Sequence, residues 1–239
     1  KIQLDLDGKV GSTITTADNT AQLTLTSTDA DANTGPLIVL NRDSGSPADN
    51  DACGNIQFKA DDDGGNSTEL ASINATFTDV SNGAEDATYG ISSVIGGSQM
   101  SRFKATASET VLNDDSGDID FRVEGNGQAN LLYIDAGNDR IGINESSPSY
   151  QLHITGATGA GGTLALERPN TTVTAGQTLG GIEFLTADSG AAGIAARILG
   201  EADGTGGEAR ILVSTGTGGS TSERMRIDSA GHVLVGKTS

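Results

Sequence analysis

One block of this chain is spelled twice. Leu40-Asn41-Arg42 returns as Leu166-Glu167-Arg168, an offset of 126 (166 minus 40), and GNIQF at Gly54 to Phe58 returns as GGIEF at Gly180 to Phe184 with the same offset. ASINA (Ala71 to Ala75) lies on ARILG (Ala196 to Gly200) at 125, and GGSQMSRFK (Gly96 to Lys104) lies on GGSTSERMR (Gly218 to Arg226) at 122. The offset shrinks only in Gly- and Asp-rich stretches, where surface loops tolerate deletions. Two copies of one pattern are expected to fold by the same local rules. That expectation decides Gly190 to Ala202, GAAGIAARILGEA, whose composition alone suits a helix. Its counterpart reads as strand, so strand is predicted here too.

Strand signals run through the whole chain in short, alternating stretches. IQLDLD (from Ile2), AQLTLTS (from Ala21), PLIVLNR (from Pro36), NIQFKA (from Asn55), DIDFRVE (from Asp118) and NLLYIDA (from Asn130) mostly alternate apolar and polar residues. YQLHITG (from Tyr150), TLALER (from Thr163), GIEFLTA (from Gly181), ARILVST (from Ala209) and HVLVGKT (from His232) do the same. A period of two places one set of side chains on each face of a sheet. Between these stretches lie DADANTG, DDDGGNS, SNGAED, DAGND and TGTGGSTS, rich in the residues that turns require. The corners DAGND (Asp135 to Asp139) and DSAGH (Asp228 to His232) are expected to turn tightly at their Gly and Asn residues, which tolerate positive φ. Beside them Ile134, Ile141, Ile143, Ile227, Val233 and Val235 are expected to fill an interior.

That interior must be thin. Only 35% of the 239 residues are hydrophobic and 3% aromatic, with five Phe, three Tyr, no Trp and 34 Gly. A compact globule of this length draws much of its buried area from aromatic rings. The periodic apolar positions nevertheless argue against disorder. The predicted fold is all-β: an elongated, repeat-containing fibre of short strands, as a β-helix, β-prism or stacked β-sandwich modules, completed by trimerisation. The expected organisation is an N-terminal β segment (1–35), a first module (36–106), a spacer (107–161) and a second module with its closing segment (162–239). The repeat itself covers about 36–106 and 162–228.

The formal net charge of −18 disfavours nucleic acid, whose phosphates require clustered Lys and Arg, and anionic membranes likewise. No apolar run approaches the roughly 20 residues of a membrane-spanning helix. Lys1 leads straight into a strand pattern, with no signal peptide and no Met, as in an excised or processed part of a longer chain. Cys53 stands alone, so neither an intrachain disulfide nor a Cys-based zinc site can form, and a small buried apolar role is expected of it.

Catalytic, cofactor and metal sites are all predicted to be absent. His153 falls in a strand and His232 in a turn, and neither lies near a nucleophile-elbow motif. A glycosidase needs two carboxylates at fixed separation, usually beside aromatic rings, and those rings are missing. Asp29 to Asn33, Asp61 to Gly65 and Asn113 to Asp120 offer calcium-like oxygen ligands but match no complete calcium loop, so solvated turns are expected. Sequons at Asn66, Asn74, Asn144 and Asn170 matter only in a eukaryotic secretory setting.

A resemblance sharpens this picture. DFRVEGNGQANLLYIDAGNDRIGINESSPSYQLHITG (from Asp120) and the closing SERMRIDSAGHVLVGKTS (from Ser222) resemble segments of tail-fibre and related virion proteins of marine bacteriophages. GNIQFKADDDGGNSTELASI (from Gly54) resembles a module of the same proteins, so the likeness touches most of 36–239. The chain departs from the pattern at Glu145 and Lys237, where those proteins carry a small residue. The resemblance implies a structural and adhesive virion component, a fibre shaft segment contributing to host attachment, located on the virion. Its implied partners are two further copies in a homotrimer, other virion proteins, and a host-surface glycan or protein. The alternative reading is an extracellular or cell-surface bacterial β-rich adhesin or filament subunit. A glycan-degrading tailspike enzyme stands third.

Overall fold

A computed structural model describes residues 14–236. It is all-β, with fourteen strands among the described residues arranged in three open sheets. The described residues up to Phe121 form one compact unit and those from Arg122 a second.

The first unit holds a five-stranded meander: β1 (Asp51–Asp61), β2 (Ser67–Asp79), β3 (Asp86–Ile95), β4 (Ser98–Ala105) and β5 (Thr110–Leu112), every neighbour antiparallel. The second unit contains the same object: β10 (Thr178–Thr186), β11 (Gly193–Ala202), β12 (Ala209–Thr217), β13 (Ser220–Ile227) and β14 (Val233–Val235). It also holds a four-stranded sheet of β6 (Phe121–Gly125), β7 (Gln128–Asp135), β8 (Arg140–Ile143) and β9 (Leu152–Ile154). In that sheet β7 and β8 form the expected hairpin, while β9 joins β8 in parallel.

The repeat survives at the level of single hydrogen-bond registers. Ile56 pairs with Ile73 and Phe58 with Ala71; Ile182 pairs with Ile198 and Phe184 with Ala196. Phe58 and Phe184 are 54% and 53% exposed, so the two Phe residues share an environment. Bulges recur as well. The extra residue is Cys53 or Leu179 at the first, Leu70 or Ala195 at the second, and Arg102 or Arg224 at the third. At the third the bulge turns each guanidinium across the ladder: Arg102 Nε donates to Ser93 Oγ (2.7 Å) and Arg224 Nε to Thr215 Oγ1 (3.1 Å). Bulges of this kind re-aim one side chain without ending the sheet.

One expected strand per copy differs. PLIVLNR and TLALER carry a strand's alternation but no ladder, and AQLTLTS likewise stays outside the sheets. IQLDLD lies outside the described residues. Alternation prepares a residue run for a sheet, but a ladder also needs a partner strand, and the meander's edge is met differently. Arg42 Nη1 donates to the Ala52 carbonyl (3.1 Å) and Arg168 Nη1 to the Thr178 carbonyl (3.2 Å). Leu40 and Leu166 lie against the missing side chains of Gly54 and Gly180; a Cβ at those glycines would stand 3.0 and 2.7 Å from the leucine Cβ. Leucine over glycine and arginine to an edge carbonyl form one clamp, made twice. Conversely, most of β2, β3 and β4 and the whole of β5 lie outside the stretches whose alternation announced a strand.

Cross-strand pairing defines the faces of each meander. One face carries Ile56, Ile73, Ile91, Phe103 and Leu112 side by side in the first sheet. The matching row in the second is Ile182, Ile198, Val213, Met225 and Val235. Two positions along each strand, on the same face, run Gly54, Ala75, Tyr89, Ala105 and Thr110, matched by Gly180, Gly200, Ile211, Ile227 and Val233. The opposite face is more polar, with Gln57, Ser72, Ser92 and Ser101 in one sheet and Glu183, Arg197, Ser214 and Glu223 in the other.

Candidate functional site

Antiparallel sheets ordinarily put their apolar face against something. Here that face is open. Ile56 is 44% exposed, Ile91 37%, Ile182 49% and Ile198 42%. Among the described residues the buried apolar side chains are Leu199, Ala202, Leu212 and Pro148, all of the second unit. The residues expected to fill an interior are exposed or half-buried: Ile134, Ile141, Val233 and Val235 are exposed, Ile143 and Ile227 half-buried. An open apolar groove of about 320 Å³ runs along the second sheet, with Leu164 and Leu166 on one side and Ile182, Ile198 and Ile211 beneath. The polar faces instead hold local ion pairs. Arg210 binds Glu201 and Asp203 (Nη1 to Oδ1, 2.9 Å), and Arg226 binds Glu223 (2.5 Å).

The residues weighed for chemistry are dispersed. His153 sits in β9, 3.9 Å from Glu145 Oε2, and accepts a long hydrogen bond from the Ser149 amide. Glu145 is committed elsewhere: the Ser147 amide and the Thr155 hydroxyl hold its carboxyl below the usual carboxylate range. His232 meets Asp228 across its turn (3.0 Å), and the His232 backbone amide holds the Asp228 carboxyl low. Cys53 is half-buried at a β1 bulge, its thiol 3.6 Å from the Asp51 carbonyl. The expectation of a buried residue ahead of the strand is therefore corrected: the strand starts earlier, and the bulge keeps this side chain out of a packed layer.

The acidic loops direct their oxygens at their own backbone. Asp62 accepts from the amides of Gly64 (2.9 Å) and Asn66 (2.8 Å), and Asp31 from that of Asn33 (2.8 Å). Asn113 exchanges two hydrogen bonds with Gly117. Such bonds favour the ionised carboxylate, and the Asp62 and Asp31 carboxyls are accordingly held low, the Asn66 and Asn33 amides first among the causes. Among the described residues no cluster of three or more His, Cys, Asp or Glu is gathered for a metal ion. In the DAGND corner the positive φ falls on Asp139 (54°), not on Gly137 or Asn138, because the Asp135 carboxylate ties back the Asn138 amide and moves the left-handed step one residue on. In DSAGH it falls on Gly231 (86°), as expected.

No family model and no curated protein sequence matches the chain. The solved structures similar to it include two of one tail fibre. One is the carboxy-terminal domain of the bacteriophage T5 L-shaped tail fibre, at 12% identity and TM-score 0.41 over 90% of this chain and 91% of that one. The other is the same domain with its intramolecular chaperone domain, at 12% identity and TM-score 0.40 over 88% of this chain and 61% of that one.

Proposed function

We propose that this chain is a structural segment of a virion fibre, a homotrimeric shaft component of a phage tail fibre that contributes to host attachment outside the cell. The observation that carries this reading is an unfinished core. The chain exposes 17416 Å². Two separate compact bodies, each of half its 24.1 kDa mass, would together expose only about 12,000 Å². Ordering a residue's backbone costs about 1–2 kcal/mol, and buried apolar surface returns only roughly 25 cal/mol per Å². Sheets that hide so little are stabilised when further copies cover them. The wording shared with marine-phage fibre proteins supports the virion setting.

Light scattering coupled to size exclusion tests the reading. The expected mass is three times that of the chain. A folded, cooperatively melting monomer of 24.1 kDa overturns it.

A further inference from the structure

We infer that the seam between copies is the apolar face of the two meanders: the row from Ile56 to Leu112 on the first sheet and the row from Ile182 to Val235 on the second. Each meets the same row of another copy of this chain. The inference rests on the self-association proposed above and adds which surface performs it. Three observations select this face and this occupant.

The first is charge. A chain of net charge −18 repels its copies wherever acidic surface meets acidic surface. The two rows on the apolar face of each meander comprise twenty positions, none of them charged. At the chain's 19% charged content about four would be expected. The opposite faces carry Lys104, Arg226, Glu183, Arg197 and Glu223.

The second is what the repeat keeps. On the polar face Asn74 beside Gly90 in one copy corresponds to Leu199 beside Leu212 in the other. On the apolar face the central row is aliphatic or aromatic at every strand of both copies. Within the single chain Leu40 and Leu166 cover only the Gly54 and Gly180 end of this face, and the shared central row is left open.

The third is area. The chain's 17416 Å² exceeds that of two compact bodies by about 5,400 Å²; the open rows are one part of that excess, beside the exposed segment before Asp51, and obligate assemblies bury about 2,000–5,000 Å² or more. A second copy presents the complementary apolar row with no added sequence.

Adjacent residues on opposite faces supply the test. Ile56→Asp combined with Ile182→Asp places charge in both seams, whereas Asn55→Asp places it one residue away on the reverse face. The double variant is expected to weaken assembly at least tenfold by light scattering, and Asn55→Asp to leave it unchanged. Hydroxyl-radical footprinting of the unsubstituted assembly reads the same surface without any substitution. Tyr89, Phe58 and Phe184, 44%, 54% and 53% exposed on the single chain, should be protected, and Tyr150 at 70% should stay reactive. Assembly that survives the double variant, or rings as reactive as Tyr150 within the assembly, overturns the seam and leaves self-association standing. A wild-type monomer overturns both.

Discussion

The two meanders share a register, three bulges and the leucine–arginine clamp, yet they hold their strands together differently. In the first, the row Asn55, Asn74, Gly90, Lys104 and Val111 crosses the reverse face, with the Asn74 Oδ1 3.1 Å from where a Cβ on Gly90 would stand. In the second, the matching row is Gly181, Leu199, Leu212, Arg226 and Leu234, with Leu199 and Leu212 buried. Leu199 folds over Gly181, where a Cβ would lie 2.3 Å from its Cδ2. The next cross-strand pair differs too: Thr76 faces Thr88 in the first, and Glu201 faces Arg210 in the second. One backbone plan therefore tolerates a polar or an apolar reverse face, and the second sheet is the better consolidated.

The largest effect that would separate the sheets is Leu199→Ala. Removing a buried leucine should cost about 2–5 kcal/mol, whereas Asn74→Ala at the matching position should cost no more than about 0.5 kcal/mol. Urea unfolding followed by hydrogen exchange in each sheet would show it, and equal losses would break the comparison. Gly180→Val comes next, at about 1–3 kcal/mol. The Leu166 Cβ, 2.7 Å away, must yield, while Gly54→Val meets Leu40 at 3.0 Å and should cost less. Thermal melts of the two variants give the order.

Arg210→Ala should follow at about 1–2 kcal/mol, with no counterpart at Thr88. This contact also sets a pH dependence. Hydrogen bonds from the Ser229 hydroxyl and amide, then the Arg210 charge, hold the Asp203 carboxyl below its ordinary value of 3.8. A depressed folded-state value means the stabilisation is present above pH 3.8 and lost as pH falls through the lower folded value. Asp203→Asn should therefore flatten the acid limb of the second sheet's unfolding curve below about pH 4. Acid titration monitored by hydrogen exchange would reveal an unchanged limb if the contact is idle. The smallest effects belong to the shared clamp. Arg42→Ala and Arg168→Ala should each cost about 0.2–1 kcal/mol. Arg42 should lie at the upper end because it also pairs with Asp51 at 2.8 Å.

Much of this architecture was legible from residues. Alternation in GIEFLTA and ARILVST marked β10 and β12, and the repeat turned the helix-like Gly190 to Ala202 into β11. β3 was harder to see. Its apolar face rests on Ile91 set among Gly90, Ser92 and Ser93, and a sheet one layer thick needs little more than one such residue per strand. PLIVLNR and TLALER misled in the other direction, because their apolar residues lie beside a glycine rather than within a ladder.

The sequence by itself determined that this chain is all-β, that it spells one β pattern twice, and that its interior is poor in aromatic rings. Those properties follow from period, offset and composition, which are local or additive. Only the tertiary structure decided which residues oppose one another across strands. Cross-strand register is a long-range property, shifted by one residue at each bulge, and a one-residue shift exchanges the faces. It is register that gathers the uncharged rows on one side of each sheet and leaves them open, so that the surface offered to another copy appears only after the chain has folded.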